Sequence, residues 1–440
     1  MSSSPFDLLP VEIIQKIFLS SLPENNMMIL PPKNLKKDTV QLVISQVSSR
    51  WRLIALSTFQ LWDNVMLSPP NNPALRLASL WFHRARGLPI TLKVQTPPSL
   101  PHDDPHIHDL CRLISSHRFK SLGGNPTNHW LLLHDKSYEE SFASLDSLYL
   151  EFPIHPFQER KSPSSDDCCL LPSLQYLHLN FKRFPVSRGR DLHMIPWPQL
   201  STLTVHNATN FSTIIDIMRE SKALVECKLL KFHADADVRV VSLATPLPHL
   251  RHLELSSKRP LLHLIKVLST FNMPNITSIH LAFTGEFLMD SCLTTDWLSR
   301  QLDVPFRQLQ EITFSNPNKM LDVRMFLRRM PSLRRLALHG YVLLDHYTAD
   351  EISTGKLGRH IDTISLRSCD SVGCVLDMIE KRQENAKSDK GRNLQPFIHV
   401  LLACPAAQGN KFKERAERLE RQHNIQIKME PGIVVGVGRY

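Results

Sequence analysis

A short apolar block of the form L-x-x-L-x-L recurs nine times along this chain, and no other feature of the sequence limits the possible folds as much. Consecutive blocks begin 24 to 33 residues apart, with a mean of 27. The blocks begin at Leu145, Leu174, Leu200, Leu224, Leu250, Ile276, Leu309, Leu333 and Ile361. A sustained period of this length is typical of repeat proteins, in which each unit buries its apolar face against the next one.

Several of the segments between these blocks have the apolar spacing of an amphipathic helix. These segments span residues 211–221, 261–271, 295–302, 320–330 and 372–383. A strand followed by a helix at a regular period predicts an α/β fold, a curved solenoid with a parallel sheet on its inner face and helices outside. The alternative that stays open is a set of nine unrelated buried strands in an α/β domain.

The repeated block resembles that of the leucine-rich repeat family. Members of that family normally carry Asn or Cys three residues after the third apolar position, where the side chain bonds the backbone of the turn. In this chain only Cys369 fits that position. The resemblance therefore implies irregular, variably curved repeats without an asparagine ladder.

The rest of the chain divides around this array, which is predicted to span 141–393. Residues 68–140 are predicted to form irregular first repeats, with a helix at 76–86, a strand at 88–94 and a Pro-rich excursion at 97–105. A second excursion is predicted at 155–167. Residues 394–440 are predicted to form a C-terminal cap and tail, with strands at 397–403 and 425–429 around a charged helix at 410–423.

The N-terminal residues predict two short helices with wide apolar faces. Leu9, Ile13 and Ile17 recur at every fourth position, and Pro10 fits the first turn of a helix. The second helix has a similar stripe that includes Val47 and Trp51. Two such helices form a core too small to stand alone, so part of this apolar surface is expected to face a partner.

These residues resemble the F-box, a three-helix module that binds a Skp-type adaptor in cullin-based ubiquitin ligases. The matching features are Leu9-Pro10, Glu12-Ile13, the V-x-x-R-W-R pattern from Val47, and the ending IALSTFQLW, which resembles F-boxes of the basidiomycete type. The resemblance assigns residues 1–67 to this module, with an inserted solvated loop at about 23–39. It implies adaptor binding through Leu9, Pro10, Ile13, Ile17, Val47, Arg50 and Trp51.

A second interpretation of the N-terminus stays open. The two helices could simply cap the repeat array, and Leu9, Ile13 and Val47 would then be buried inside the chain. The F-box resemblance implies a non-catalytic subunit that recognises targets for ubiquitination, bound to the adaptor and through it to a cullin. A leucine-rich-repeat scaffold that acts outside a ligase is the alternative function.

The polar positions of each block are predicted to form three rows on the inner face of the sheet. Histidine takes five of the 27 positions, and the target-binding candidates are Tyr176, His178, His206, His252 and His280. A net charge of +10 raises the question of nucleic acid. Because both signs of charge are mixed along the rows, a protein target is favoured over nucleic acid.

The sequence shows no motif that is typical of catalysis or of metal or cofactor binding. The sequence has no G-x-x-x-x-G-K-[ST] phosphate loop and no G-x-S-x-G elbow, and its eight cysteines include no C-x-x-C pair. We therefore expect no enzymatic activity, no cofactor and no metal, although 102–108 is rich in His and Asp. With neither a signal peptide nor a long apolar run apparent, we expect the cytoplasm or nucleus and no membrane contact.

Overall fold

The chain forms two compact units, Met1–His206 and Asn207–Tyr440, called here the first and second unit. Each unit contains a parallel sheet and helices. The boundary between the units falls inside the predicted repeat array. The computed structural model describes residues 8–22, 27–30, 40–68, 71–95, 105–124, 136–152, 171–181, 195–207, 211–232, 245–257, 268, 270–283, 306–315, 323–339, 344–367, 372–388, 393–404 and 406–431.

The strands of the first unit pair in chain order, each parallel to the next. They are β1 (Met28–Leu30), β2 (Asn64–Leu67), β3 (Ile90–Val94), β4 (Phe119–Gly124), β5 (Ser147–Phe152), β6 (Tyr176–Phe181) and β7 (Thr202–His206). The helices are α1 (Val11–Ser20), α2 (Val40–Val47), α3 (Ser49–Ser57), α4 (Asn72–Ala85), α5 (Pro105–Ser115) and α6 (Glu139–Phe142).

The second unit has a parallel sheet in the order β8 (Glu226–Phe232), β10 (His252–Ser257), β12 (Ser278–Phe283), β13 (Glu311–Ser315), β14 (Arg335–His339), β15 (Thr363–Arg367), β16 (His399–Cys404) and β17 (Gln426–Pro431). Two shorter strands, β9 (Thr245–Pro246) and β11 (Phe271–Asn272), pair with each other. The helices are α7 (Phe211–Glu220), α8 (Val323–Arg329), α9 (His346–Ser353), α10 (Val372–Lys387) and α11 (Ala406–His423).

The apolar positions of the repeated block form the core of both units. Leu148, Leu177 and Leu203 are paired across β5, β6 and β7, and all three are buried. Because alternate residues of a strand point to opposite faces, the polar residues between them form the other face. Burial of one such leucine side chain contributes about 1.5–3 kcal/mol. The predicted α/β class and parallel sheet are confirmed within each unit, and the strand order is compatible with a solenoid.

Most of the helices predicted from apolar spacing are present where they are described. Segments 211–221, 320–330 and 372–383 correspond to α7, α8 and α10, and 76–86 corresponds to α4. The two strands and the helix predicted near the C-terminus are β16, β17 and α11. The predicted helix at 295–302, the excursion at 155–167 and most of the predicted helix at 261–271 lie outside the described residues. None of the described helices combines the length and apolar character that are needed to cross a membrane.

Two segments differ from their prediction as loops. Residues 27–30 read Met-Met-Ile-Leu, and within them β1 pairs with β2 and buries Leu30, so the insertion at 23–39 is not a solvated loop throughout. The sequence pattern predicts Pro105 as the end of a Pro-rich excursion, but this residue begins α5. Proline fits a first helical turn because its missing N–H has no partner to lose there. The buried residues that follow, Ile107, Leu110 and Ile114, have helical spacing.

Candidate functional site

The N-terminal helices α1, α2 and α3 are held in the first unit by a small set of apolar side chains. Ile14 and Phe18 of α1 are buried, as are Ile44 of α2 and Ile54 of α3. The rings of Phe18 and Trp51 lie 5.1 Å apart in a tilted arrangement. These contacts use one side of each helix, and the opposite sides remain available for other contacts.

The turn between α2 and α3 also fixes the start of α1. The side chain of Ser48 accepts a hydrogen bond from the backbone N–H of Trp51 and caps α3. Arg50 donates a hydrogen bond from Nη2 to the carbonyl oxygen of Leu9 at 2.7 Å. Arg50 and Trp51, which are predicted adaptor contacts, therefore have structural partners inside the chain as well.

Exposed aliphatic side chains cover the outer sides of α1 and α2. Ile13 is 41% exposed, Ile17 43%, Val43 47% and Val47 57%. We call these four residues the N-terminal apolar face. Each helix contributes two residues that are four positions apart, which are neighbours on a helix surface. Of the other predicted adaptor contacts, Pro10 is exposed, and Leu9, Arg50 and Trp51 are half-buried.

The prediction of adaptor contacts omitted four exposed apolar residues, Leu8, Val11, Val43 and Leu53. Val43 belongs to the N-terminal apolar face, and its spacing of four residues from Val47 could have predicted this position. Leu53 of α3 is 70% exposed. The pattern of α3 could not have indicated it, because Leu53 interrupts the apolar stripe that buries Ile54 and Ala55.

Aromatic side chains cross the polar face of the sheet in the first unit. The rings of Tyr149 and His178 lie 4.3 Å apart, and those of His178 and His206 are stacked at 4.8 Å. Lys93 Nζ lies 5.3 Å from the centre of the Tyr149 ring. We call Lys93, Tyr149, His178 and His206 the aromatic row. Gly123 pairs with both Lys93 and Tyr149, and because it has no side chain it leaves room for the contact between them.

The predicted target-binding residues are therefore only partly brought together. His178 and His206 belong to the aromatic row, whereas Tyr176, which is 47% exposed, pairs with Ser147 and Thr202 at the start of the strands. Lys93 and Tyr149 were not among the predicted residues. The sequence did contain a signal for including Tyr149. Tyr149 and His178 occupy the middle polar position of neighbouring blocks, which predicts that they pair across adjacent strands.

His252 and His280 lie in the second unit. His252 is exposed, and His280 is hydrogen-bonded through Nε2 to Ser315 Oγ at 2.9 Å. Nδ1 of His280 lies 3.3 Å from Glu254 Oε1. These side chains span three strands, β10, β12 and β13, and form a polar chain on the face opposite the apolar core.

Comparison with known proteins gives no family for this chain. No model of a protein family matches it, and no curated protein matches it either. Within the described residues, no three His, Cys, Asp or Glu side chains are grouped closely enough to hold a metal ion.

Two histidines on the polar faces have strongly lowered pKa values. Burial, with the nearby His206 and Lys93, lowers the pKa of His178 from 6.5 to about 4. Burial, with Arg367 and His280, does the same for His339, whose Nε2 lies 3.2 Å from Ser365 Oγ. In both cases the folded chain favours the neutral ring.

These pKa values predict acid sensitivity. Below about pH 6.5 the unfolded chain takes up protons at both histidines, whereas the folded chain does so only near pH 4, so stability falls as the pH decreases across this interval. The double variant His178→Gln, His339→Gln should lose less stability than the wild type between about pH 7 and about pH 5. Urea midpoints at both pH values measure this. An equal loss in both proteins would contradict the prediction.

Proposed function

We propose that this chain is the substrate-recognition subunit of a Skp–cullin–F-box ubiquitin ligase. The N-terminal helices bind the Skp-type adaptor, and the leucine-rich-repeat-like solenoid binds a protein target on its polar face. The chain itself does no chemistry. Tethering the target near a ubiquitin-charged enzyme raises the effective concentration of the target's lysines, and this proximity is the contribution of the receptor.

The observation that carries this proposal is the exposure of the N-terminal apolar face. A helical pair that only capped the sheet would bury Ile13 and Val47, yet these side chains are 41% and 57% exposed. Ile14 and Ile44, their neighbours along the helices, already supply the internal packing. Covering exposed aliphatic area with a partner is favourable by about 25 cal/mol per Å². The arrangement therefore suits helices that pack on both sides.

The aromatic row supports the second half of the proposal. Aromatic residues are enriched in protein interfaces because they bury a large area and keep a polar group for hydrogen bonding. In the first unit, Tyr149 and the two histidines present such groups on the face opposite the apolar core. The partly exposed Tyr176 adds a further aromatic side chain near the start of β6.

The test is co-expression with a Skp-type adaptor, followed by size-exclusion chromatography and an affinity measurement. The double variant Ile13→Glu, Val47→Glu is expected to bind the adaptor at least about 100-fold more weakly, because each change buries a charge in an apolar contact. The matched control is Leu80→Glu with Tyr347→Glu, since these side chains are 55% and 73% exposed on α4 and α9. Both variants should unfold at the wild-type temperature.

Wild-type binding by the Ile13→Glu, Val47→Glu variant would contradict the proposed adaptor surface. A soluble wild-type chain that ignores the adaptor would contradict the ligase function itself. Adaptor binding together with a target half-life that is unchanged when the cullin is inhibited would instead favour the scaffold function outside a ligase. Each result therefore leads to a different conclusion.

A further inference from the structure

Exposed cations are concentrated in the turns that lead into the strands of the second unit. Six four-residue segments, 222–225, 248–251, 274–277, 307–310, 331–334 and 359–362, precede β8, β10, β12, β13, β14 and β15. They contain five Lys or Arg residues and one acidic residue, Asp362. We call the five cations the basic edge: Lys222, Arg251, Arg307, Arg334 and Arg359, all exposed.

Backbone hydrogen bonds place these segments side by side. Thr277 N–H donates to the carbonyl of Arg251, Gln310 N–H to that of Thr277, and Arg334 N–H to that of Gln310. Arg251 and Arg334 therefore occupy equivalent positions three strands apart, about 14 Å at the usual strand spacing. The whole basic edge spans five strand spacings, about 24 Å, which an extended peptide of about seven residues would cover.

The cations of the basic edge have no side-chain partner among the residues that the structure describes, whereas neighbouring cations do. Lys228 Nζ lies 2.8 Å from Glu226 Oε1, and Arg335 Nη1 lies 3.6 Å from Glu311 Oε2. The nearby carboxylates on the sheet are thus already occupied. In the first unit, the segments before β5, β6 and β7 (143–146, 172–175 and 198–201) contain no Lys or Arg, whereas those before β3 and β4 contain one each, Arg86 and Arg118. Positive charge in these turns is therefore denser in the second unit and is not a fixed feature of the repeat pattern.

We propose that the basic edge binds an extended acidic segment of a protein partner. Four of its five cations are arginines, whose planar guanidinium groups can hold carboxylates or phosphates through two parallel hydrogen bonds. Negative groups spaced along a peptide can meet these arginines on successive strands. The chemistry shared by the ligands is an oxyanion, supplied by Asp and Glu or by a phosphorylated side chain.

A protein ligand fits this surface better than a nucleic acid does. The carboxylate of Asp362 lies within the edge and would repel a continuous line of phosphates. The six segments also contain no Phe, Tyr or Trp on which bases could stack. A peptide avoids this repulsion because its charges can be discontinuous.

The experiment measures fluorescence anisotropy of the full-length chain with labelled peptides of about eight residues rich in Asp and Glu. The wild type should bind the acidic peptide, more weakly at higher salt, and should not bind a matched Asn/Gln peptide. The triple variant Arg307→Glu, Arg334→Glu, Arg359→Glu should bind the acidic peptide at least about tenfold more weakly than the wild type. The control triple, Arg76→Glu, Lys413→Glu, Arg418→Glu, makes the same charge change at exposed sites elsewhere and should bind normally.

Two further ligands complete the test. A peptide with phosphoserine in place of one acidic residue separates the two oxyanion sources, since tighter binding would identify phosphate and equal or weaker binding carboxylate. A short single-stranded oligouridylate tests nucleic acid. Equal binding by wild type and triple variant, an equal loss in the control triple, or tighter binding of the oligonucleotide at the same arginines would overturn the proposal.

The inference rests on the proposed function only in that the acidic segment is taken to belong to the target. Adaptor binding depends on the N-terminal helices, so the basic-edge triple variant should bind the adaptor as the wild type does. Loss of peptide binding with adaptor binding intact would localise the failure to the basic edge. If the chain binds the peptide but does not bind the adaptor, the proposal for the basic edge stands and the proposed ligase function is contradicted.

Discussion

Replacing Arg382 with Met is expected to lower the free energy of unfolding of the second unit by about 4 kcal/mol. Arg382 is fully buried in α10. Its guanidinium donates to the backbone carbonyls of five residues: Ile352, Gly358, Arg359, Ile361 and Gln395. Methionine fills a similar volume but leaves these carbonyls unpaired in the interior. Urea denaturation followed by circular dichroism measures the loss.

Arg382 joins segments that belong to different parts of the chain and are not paired with one another in a helix or a strand. Ile352 lies in the last turn of α9, residues 358–361 lead into β15, and Gln395 lies before β16. The guanidinium also lies 4.7 Å from the centre of the Phe397 ring. Burial lowers the pKa of Arg382 to about 10, so the group still carries its charge at neutral pH. The charge of Arg382 is compensated mainly by carbonyl dipoles. A neutral side chain without N–H groups cannot substitute for it, because the carbonyls would then lose their hydrogen-bond donors.

Two further variants test the cause. Arg382→Lys keeps the charge but loses the planar fork, so its stability should fall between those of the wild type and the Met variant. Arg418→Met removes an exposed arginine from α11 and should change stability by less than about 0.5 kcal/mol. If Arg382→Met unfolds like Arg418→Met, the carbonyl network contributes little, and the apolar packing of α10 alone holds this region.

The role of Arg382 was invisible in the sequence. It lies in a stretch of α10 that reads Glu-Lys-Arg-Gln-Glu, and such a run normally marks the solvated side of a helix. Gln383 has the same character but exchanges two hydrogen bonds with the backbone of Phe397. Local pattern cannot show that backbone carbonyls from distant segments converge on a side chain. That information is contained only in the tertiary structure.

The block positions were predictable because their burial follows from one periodicity. Leu253, Ile279 and Ile312 are paired across β10, β12 and β13, as the alignment of blocks predicts. The same period could not locate β1 or α5. For β1 the apolar run is too short to separate from a loop. For α5 the helix starts at a proline, and a proline in a Pro-rich stretch predicts a loop.

The candidate sites show a similar limit. The alignment of blocks predicted the rows of the polar face, and therefore the contact of His178 with its neighbours on adjacent strands. It did not single out Tyr149, whose contact with Lys93 depends on a glycine in the strand between them. The basic edge was missed for a simpler reason. All five of its cations lie in the turns before the strands, so the inner-face rows did not include them.

A second large effect is expected from Trp62→Ala, which should destabilise the first unit by about 3–5 kcal/mol. Trp62 is fully buried, and its Nε1–H donates to the carbonyl of Ala55 at 2.9 Å. Its ring meets that of Trp81 edge-on at 4.4 Å, with the guanidinium of Arg84 4.6 Å away. One side chain therefore joins α3 to α4. Thermal unfolding measures the loss.

The Trp62→Ala variant should also weaken the proposed adaptor binding, but by a different route from Ile13→Glu, Val47→Glu. Loss of the contact with α4 lets α1 to α3 move, so amide protons of these helices should exchange faster with solvent. Trp62→Phe retains an aromatic ring and should lose only about 1 kcal/mol with the missing hydrogen bond. Trp62 is buried and should act on adaptor binding only through stability. The Trp62→Phe variant, which retains most of the stability, should therefore bind the adaptor nearly as tightly as the wild type. Weak binding by a stable Trp62→Phe protein would mean that the ring contacts the adaptor directly, contrary to its burial in the free chain.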